Sequence, residues 1–366
     1  MARNPFTPSF GKVPPFMAGR AEIVSDIVQA FENGAGDPNL STIFVGSRGT
    51  GKTALLFHLS AEASGRGWIC VNVSSVPGML EDILERANEA ARHLLDEPAK
   101  ARLTGINLTQ LVGIEWSYEP KEAGNWRTRM NRLLDKLALQ DIGLLITVDE
   151  VNPELDEMVQ LASVYQHFVG ENRKVALFMA GLPGKVLSLL RNESVSFLRR
   201  SCQHRLGRVS DSEIQIALRK TIEEGGRSIT PEAMGAAVRA IEGFPYMMQL
   251  VGHRTWAQHP DAVVITDDDA QSGIDLARRD FEQRVLDATY YDLSRGDVRV
   301  LEAMLADSRE SRLSDISERL GEGSNYVSAY KRRLVEQGVI SELGRGVVAF
   351  ELPGFRDYLA ARVEEI

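Results

Sequence analysis

The sequence is short of cysteine, of long apolar runs and of net positive charge, and each shortage excludes something. Among 366 residues only Cys70 and Cys202 occur, far apart and without CxxC spacing. Neither a disulfide framework nor a zinc site is expected, and a reducing, cytoplasmic setting is. No stretch approaches the roughly 18 apolar residues that a membrane-spanning helix needs. The proline-containing opening from Met1 to Phe16 has no apolar core of the kind a secretory leader carries. The expectation is a soluble chain with no membrane partner. The formal charge is −9, with 42 Lys and Arg against 51 Asp and Glu. That balance argues against coating nucleic acid by bulk electrostatics and confines any such contact to a local patch. The six histidines show no metal-ligand spacing. What remains is an ordinary globular composition with length for two or three domains.

The most informative run is Gly46-Ser47-Arg48-Gly49-Thr50-Gly51-Lys52-Thr53, a complete GxxxxGK[ST] pattern. It follows the strand-like run Ser41 to Val45 and precedes an amphipathic helical run beginning at Ala54. Glycines at 46, 49 and 51 let successive backbone N–H groups point inward without Cβ clashes, forming an anion nest at a helix N-terminus. Lys52 would then reach the β- and γ-phosphates of a nucleoside triphosphate, and Thr53 would ligate Mg²⁺. Arg48 reads as solvent-facing.

Three regions follow from the patterning. Residues 1–205 alternate short apolar runs with helical periods, the mark of a parallel α/β sheet. Its strands are expected at 42–45, 68–73, 143–148 and 175–180, apolar on both faces. Between the second and third, Ile114, Trp116 and Tyr118 alternate with polar residues, which predicts a hairpin, either a satellite sheet or a partner-binding arm. Residues 206–293 read as a helical lid, with Ser210 and Glu213 as a capping box and Pro231 in the first turn of a later helix. Residues 294–366 give helices at 297–306, 314–320 (capped by Ser314) and 325–337, then a strand pair around Gly344-Arg345-Gly346. That order predicts a winged helix-turn-helix.

A second chemical element ends the third strand, where Leu144 to Val148 runs into Asp149-Glu150 about a hundred residues after the phosphate loop. Carboxylates so placed form a Walker B element. Asp149 would hold the Mg²⁺ shell and Glu150 would polarise the attacking water.

With both elements in place, the chain resembles the AAA+ and STAND group of P-loop ATPases, close to bacterial and archaeal ATPases related to origin-recognition proteins. The resemblance spans nearly the whole length. Phe16-Met17-Ala18-Gly19-Arg20 is similar to the family's Gly-Arg motif beside the adenine, so Met17, Gly19 and Arg20 are implied nucleotide contacts, with Val13 and Pro14 as apolar walls. Gly243-Phe244-Pro245 resembles the Gly-x-Pro segment of the helical lid. The resemblance implies ATP and Mg²⁺ as cofactors and an arginine finger before the lid, offered in trans by a second copy in a homo-oligomer. Arg199 and Arg200 are the candidates, ahead of Arg205 and Arg208; ordinary surface ion pairs are the alternative. Two departures point to slow hydrolysis or an ATP/ADP switch. The fourth strand lacks the Asn, Ser or Thr of a first sensor, and Tyr246 stands where the second-sensor Arg is usual.

In the C-terminal module the third helix would enter a DNA major groove with Ser324, Asn325, Tyr326 and Ser328 near base edges. Lys331, Arg332 and Arg333, with Arg345 at the wing tip, would meet phosphates. Acids are about as numerous as bases there, so a protein partner stays open. The two functional expectations are an ATP-controlled DNA-binding switch and an ATP-dependent protein-interaction scaffold.

Overall fold

The computed structural model describes residues 3–9, 11–96 and 124–364. The hairpin predicted around residues 104–120 lies outside them. Five parallel strands, β1 (Ser41–Val45), β2 (Trp68–Ser74), β3 (Gly143–Asp149), β4 (Val175–Gly181) and β5 (Cys202–Arg205), form one sheet in the order β2-β3-β4-β1-β5. The period of two in a strand sends alternate side chains to opposite faces. Ile43, Ile146, Leu177 and Met179 therefore pack under α3 (Met79–Asp96), α4 (Trp126–Ala138), α5 (Asp156–Gly170) and α6 (Pro183–Arg191). Phe44, Leu145 and Phe178 pack instead under α1 (Ala21–Asn33) and α2 (Lys52–Ser64). β5 was not anticipated: its Cys-Gln-His-Arg sequence carries no apolar run, and at the sheet edge it alternates half-buried and exposed residues. Because β1 leaves the sheet between β4 and β5, its following loop opens at the carboxyl ends of the strands, where ligands of parallel α/β sheets bind.

The helical region, called the lid below, comprises α7 (Asp211–Glu224), α8 (Pro231–Ile241), α9 (Pro245–Trp256) and α10 (Asp267–Phe281), with a short parallel pair β6 (Ser228–Ile229) and β7 (Val264–Ile265), and is continued by a π-helical turn at Glu282–Leu286 and α11 (Asp287–Tyr291). The capping box opens α7 as expected, with Ser210 and Glu213 bonding each other's backbone N–H. Met247, Met248 and Trp256 are buried in the lid core. A Cβ on Gly273 would lie 2.5 Å from the Thr255 backbone, so glycine there lets α10 press against α9.

The C-terminal unit contains α12 (Arg295–Met304), β8 (Glu310–Arg312), α13 (Leu313–Leu320), α14 (Ser324–Glu336), β9 (Ile340–Gly344), β10 (Val347–Phe350) and α15 (Phe355–Glu364). Its sheet is antiparallel in the order β8-β10-β9. Two local expectations are corrected. Ser314 does not cap α13: it lies inside the helix, and its Oγ donates to Asp315 at 2.9 Å. β8 was missed because a three-residue polar strand has no periodic signature. This unit and the lid share one continuous apolar core, from Phe281 and Leu286 to Val300, Leu301 and Phe355.

The C-terminal unit also rests on the sheet domain beside the loop between β1 and α2. A Cβ on Gly338 would sit 2.8 Å from Ser47 Cβ, and one on Gly184 would sit 2.6 Å from Glu336 Cβ. Arg208, between β5 and α7, donates from Nη2 to Glu351 O of the C-terminal unit at 2.8 Å, and Arg48 of the loop after β1 pairs with Asp292, just before that unit, at 2.9 Å.

Candidate functional site

The loop from β1 to α2 has the backbone its glycines predict, for two different reasons. Gly49 (φ 81°) and Gly51 (φ 85°) occupy the left-handed region that side-chain-bearing residues avoid. Gly46 has no such φ, but a Cβ there would lie 2.6 Å from Thr50 Oγ1 and 2.7 Å from Leu206 O. Lys52 Nζ folds over the loop, donating to Gly46 O at 2.9 Å and Ser47 O at 2.8 Å. Desolvation pulls its ammonium down to about 8, with Asp149 and Glu150 opposing the shift.

At the end of β3, Thr53 Oγ1 donates to Asp149 Oδ2 at 2.5 Å. Glu150 takes φ 55°, left-handed for a non-glycine residue, and its N–H donates to Asp149 Oδ1 at 2.9 Å. Such backbone strain is held only where surrounding structure imposes it, and it concentrates at functional sites.

These groups open into a cavity of about 660 Å³, within the usual range for small-molecule sites. Arg48, Gly49, Thr50, Gly51, Lys52, Thr53 and Ala54 line it, with Asp149, Glu150, Met17 and Arg20. Gly46, Ser47 and Gly19 do not. Gly46 and Ser47 lie beneath the loop as acceptors for Lys52, and Gly19 backs onto Val209, 2.8 Å from where its Cβ would stand. Val13 is exposed, and Phe16 forms the apolar wall in its place, beside Pro14 and Met17. Arg20 is buried, its Nη2 donating to Gly207 O at 3.1 Å, and desolvation lowers its pKa. Arg48 does more than face solvent, since it both lines the cavity and pairs with Asp292.

Sequence reasoning missed several groups. Lys12 comes from the N-terminal segment, Lys185 from α6 and Arg284 from the π-turn after the lid. Ser75 Oγ accepts from Asn152 N–H at 3.2 Å, and both residues line the wall beside Glu150. None of these belongs to a motif. The one available signal for Arg284 was a cation at the end of a lid helix. Six cations (Lys12, Arg20, Arg48, Lys52, Lys185, Arg284) thus face two carboxylates (Asp149, Glu150) around the cavity of a chain whose net charge is −9. A concave site so biased concentrates polyanions.

The proposed fingers are elsewhere. Arg199 and Arg200 end a 3-10 segment outside the cavity, and Arg199 Nε donates to Leu190 O at 2.8 Å. Within one chain neither meets the phosphate loop. Arg208 is held by the carbonyls of Phe350 and Glu351.

In the C-terminal unit, Ser324, Asn325 and Ser328 are exposed at the start of α14, with Arg332 and Arg345 also exposed. Tyr326 packs against Tyr330 with ring centroids 4.6 Å apart and planes tilted by 49°, and its hydroxyl accepts from Arg299 at 3.5 Å. Lys331 is engaged by Glu342 at 2.8 Å. Arg333 reaches the fully buried Asp297 at 3.0 Å, a structural pairing rather than a free phosphate contact.

With this geometry in hand, comparison with solved structures places the whole architecture. The chain superposes on the Walker-type ATPase PABY2304 of Pyrococcus abyssi with a TM-score of 0.64 at 15% identity, covering 94% of this chain and 96% of that one. The ADP form of the Aeropyrum pernix ORC2 protein gives a TM-score of 0.52 at 14% identity, covering 98% and 97%. The fold is the AAA+-like P-loop α/β fold that these structures share. A family model described as "Domain of unknown function (DUF8462)" matches residues 283–359, from the π-turn to α15. No curated protein matches the chain. Among the described residues, no helix is long and apolar enough to cross a membrane, and no group of three or more His, Cys, Asp or Glu side chains forms a metal cluster.

Proposed function

We propose that the chain binds ATP with Mg²⁺ in this cavity, hydrolyses it slowly, and uses the nucleotide state to position its C-terminal unit as a DNA-binding winged helix. The observation that carries the reading is convergence at one loop. Its amides and six surrounding cations suit a triphosphate, Pro245 and Tyr246 of the lid lie over Gly49 and Gly51, and Gly338 of the C-terminal unit touches Ser47.

The residues fit ATP and Mg²⁺. Left-handed Gly49 and Gly51 leave an amide-lined cradle free of Cβ atoms. Thr53 Oγ1 and Asp149 are oxygen donors of the kind Mg²⁺ takes, and the ion when bound would neutralise charge on the β- and γ-phosphates. Lys52 would leave its two carbonyls for phosphate oxygens. Glu150 would orient and polarise the attacking water, so that ADP and phosphate are the products. Arg284, on the lid side, supplies a cation to the cavity although Tyr246 replaces the usual lid arginine. With no polar side chain on β4 facing the phosphates, turnover is slow. Arg199 or Arg200 would act only from a second copy of the chain.

In this reading the exposed start of α14, with Ser324, Asn325, Tyr326 and Ser328, meets DNA bases, and Arg332 and Arg345 meet phosphates. A protein-binding scaffold is the second reading, favoured by the exposed acids Glu318 and Glu342 around the same helix and by the neutralisation of Lys331. The test is DNA anisotropy with ATP, ADP and no nucleotide at two salt concentrations, beside nucleotide titration of wild type and Lys52→Ala. Nucleotide-dependent, salt-sensitive DNA binding supports the switch. ATP-dependent oligomers without DNA affinity support the scaffold. Unchanged ATP affinity in Lys52→Ala removes the loop from its role.

A further inference from the structure

The N-terminal segment is fastened to the lid by a side chain in a notch. Phe6 is buried in the lid core, and a Cβ on Gly252 of α9 would lie 2.3 Å from its ring. Asn4 Nδ2 donates to His253 O at 3.0 Å, one residue along the same helix. These contacts bring Thr7 against Gln249, and the Thr7 N–H donates to Gln249 Oε1 at 3.0 Å. A backbone donor facing the amide settles its orientation, so Gln249 Nε2 is left as the donor end.

That donor end has no partner in the protein, and neither has Thr7 Oγ1. Gln249 is only 7% exposed, so water does not readily serve it. Buried polar atoms are almost always hydrogen-bonded, and two adjacent exceptions call for an explanation. Both residues line the cavity, beside Met248 and the apolar wall of Pro14, Phe16 and Met17. Gln249 stands about one helical turn beyond Tyr246, whose N–H donates to Gly49 O of the phosphate loop at 3.2 Å. A flat base lodged between those apolar walls would present its polar edge to them.

We infer that Gln249 and Thr7 together read the base of the bound nucleotide and select adenine, Gln249 Nε2 donating to ring N1 and Thr7 Oγ1 accepting from the 6-amino group. Guanine would oppose its N1–H to the Gln249 donor, leaving both unsatisfied. The inference rests on the ATP-binding reading above and goes beyond it by assigning specificity to two side chains 242 positions apart.

The experiment measures affinities of the full-length chain for ATP, GTP and inorganic tripolyphosphate, in wild type, Gln249→Leu, Gln249→Glu and Thr7→Val. Wild type is expected to prefer ATP over GTP by about tenfold or more. Gln249→Leu and Thr7→Val should each weaken ATP by about tenfold, the size of one lost hydrogen bond, while tripolyphosphate affinity stays unchanged. Gln249→Glu keeps an acceptor for the Thr7 N–H and replaces the donor with a second acceptor, so the preference should move toward GTP. Unaltered ATP affinity and ATP/GTP ratio in all three variants would overturn the base-reading role while leaving ATP binding intact. Equal losses for ATP and tripolyphosphate would overturn it too, since the lid rather than the base contact would have failed. A wild type that binds neither ATP nor tripolyphosphate would overturn the nucleotide reading itself and this inference with it.

Discussion

Gly338→Ala tests whether the C-terminal unit is docked on the phosphate loop in solution. Gly338 follows α14 with φ 74°, so an alanine there bears the left-handed penalty of about 1–2 kcal/mol. Its new Cβ would also stand 2.8 Å from Ser47 Cβ and 3.1 Å from Ser47 Cα. Backbone cannot give way as a flexible side-chain tip can, so the overpacking adds about 1–3 kcal/mol if the interface stays closed. Gly346→Ala is the control: φ is 76°, and nothing lies within 4 Å of its Cβ position. It bears the conformational penalty alone. In urea unfolding, Gly346→Ala should cost about 1–2 kcal/mol and Gly338→Ala about 2–5, or the latter should release the C-terminal unit to limited proteolysis. Only Gly338→Ala should also change MgATP affinity, because only it displaces Ser47. Equal destabilisation by the two variants, with equal protease resistance and unchanged ATP affinity, would refute the docked interface.

Three further outcomes are expected. Glu150→Gln should leave ATP affinity within about twofold and lower single-turnover hydrolysis by about 10²–10⁴, the usual worth of a general base; unchanged turnover removes Glu150 from that role. Arg284→Ala should weaken ATP by about ten- to a hundredfold, as expected of a lost charge-assisted bond, and ADP by less; equal losses for both would place Arg284 away from the terminal phosphate. Burial raises the Cys70 thiol to about 11, so at pH 8 it should react with iodoacetamide far more slowly in the native chain than in urea, and the native rate should climb as pH approaches that value. For stability the sign is the reverse: above the unfolded thiol's value near 9 the unfolded chain loses its proton first, so stability falls as pH rises toward 11. A Cys70 rate that is equally fast in native and unfolded protein at pH 8 would contradict its burial.

Local chemistry made much of the architecture legible. The phosphate loop, β1 to β4, the capping box at Ser210 and the third C-terminal helix each leave a mark within a dozen residues, through glycine, apolar alternation or a cap. What leaves no local mark had to come from packing. β5 and β8 are short polar strands that exist because a neighbouring strand offers its hydrogen-bonding edge. Lys12, Lys185 and Arg284 join the cavity only because the N-terminal segment, sheet domain and lid meet there.

By itself, then, the sequence determined the helices and apolar strands and the glycine backbone of the loop after β1, since backbone freedom and side-chain periodicity act between near neighbours. Tertiary structure decided which residues share the site. It set Phe6 into the Gly252 notch, kept Arg199 and Arg200 away from their own cavity, tied Arg333 to Asp297 and laid Gly338 on Ser47. Those meetings depend on steric fit and charge pairing between segments far apart in the chain, and they are fixed only when the elements pack.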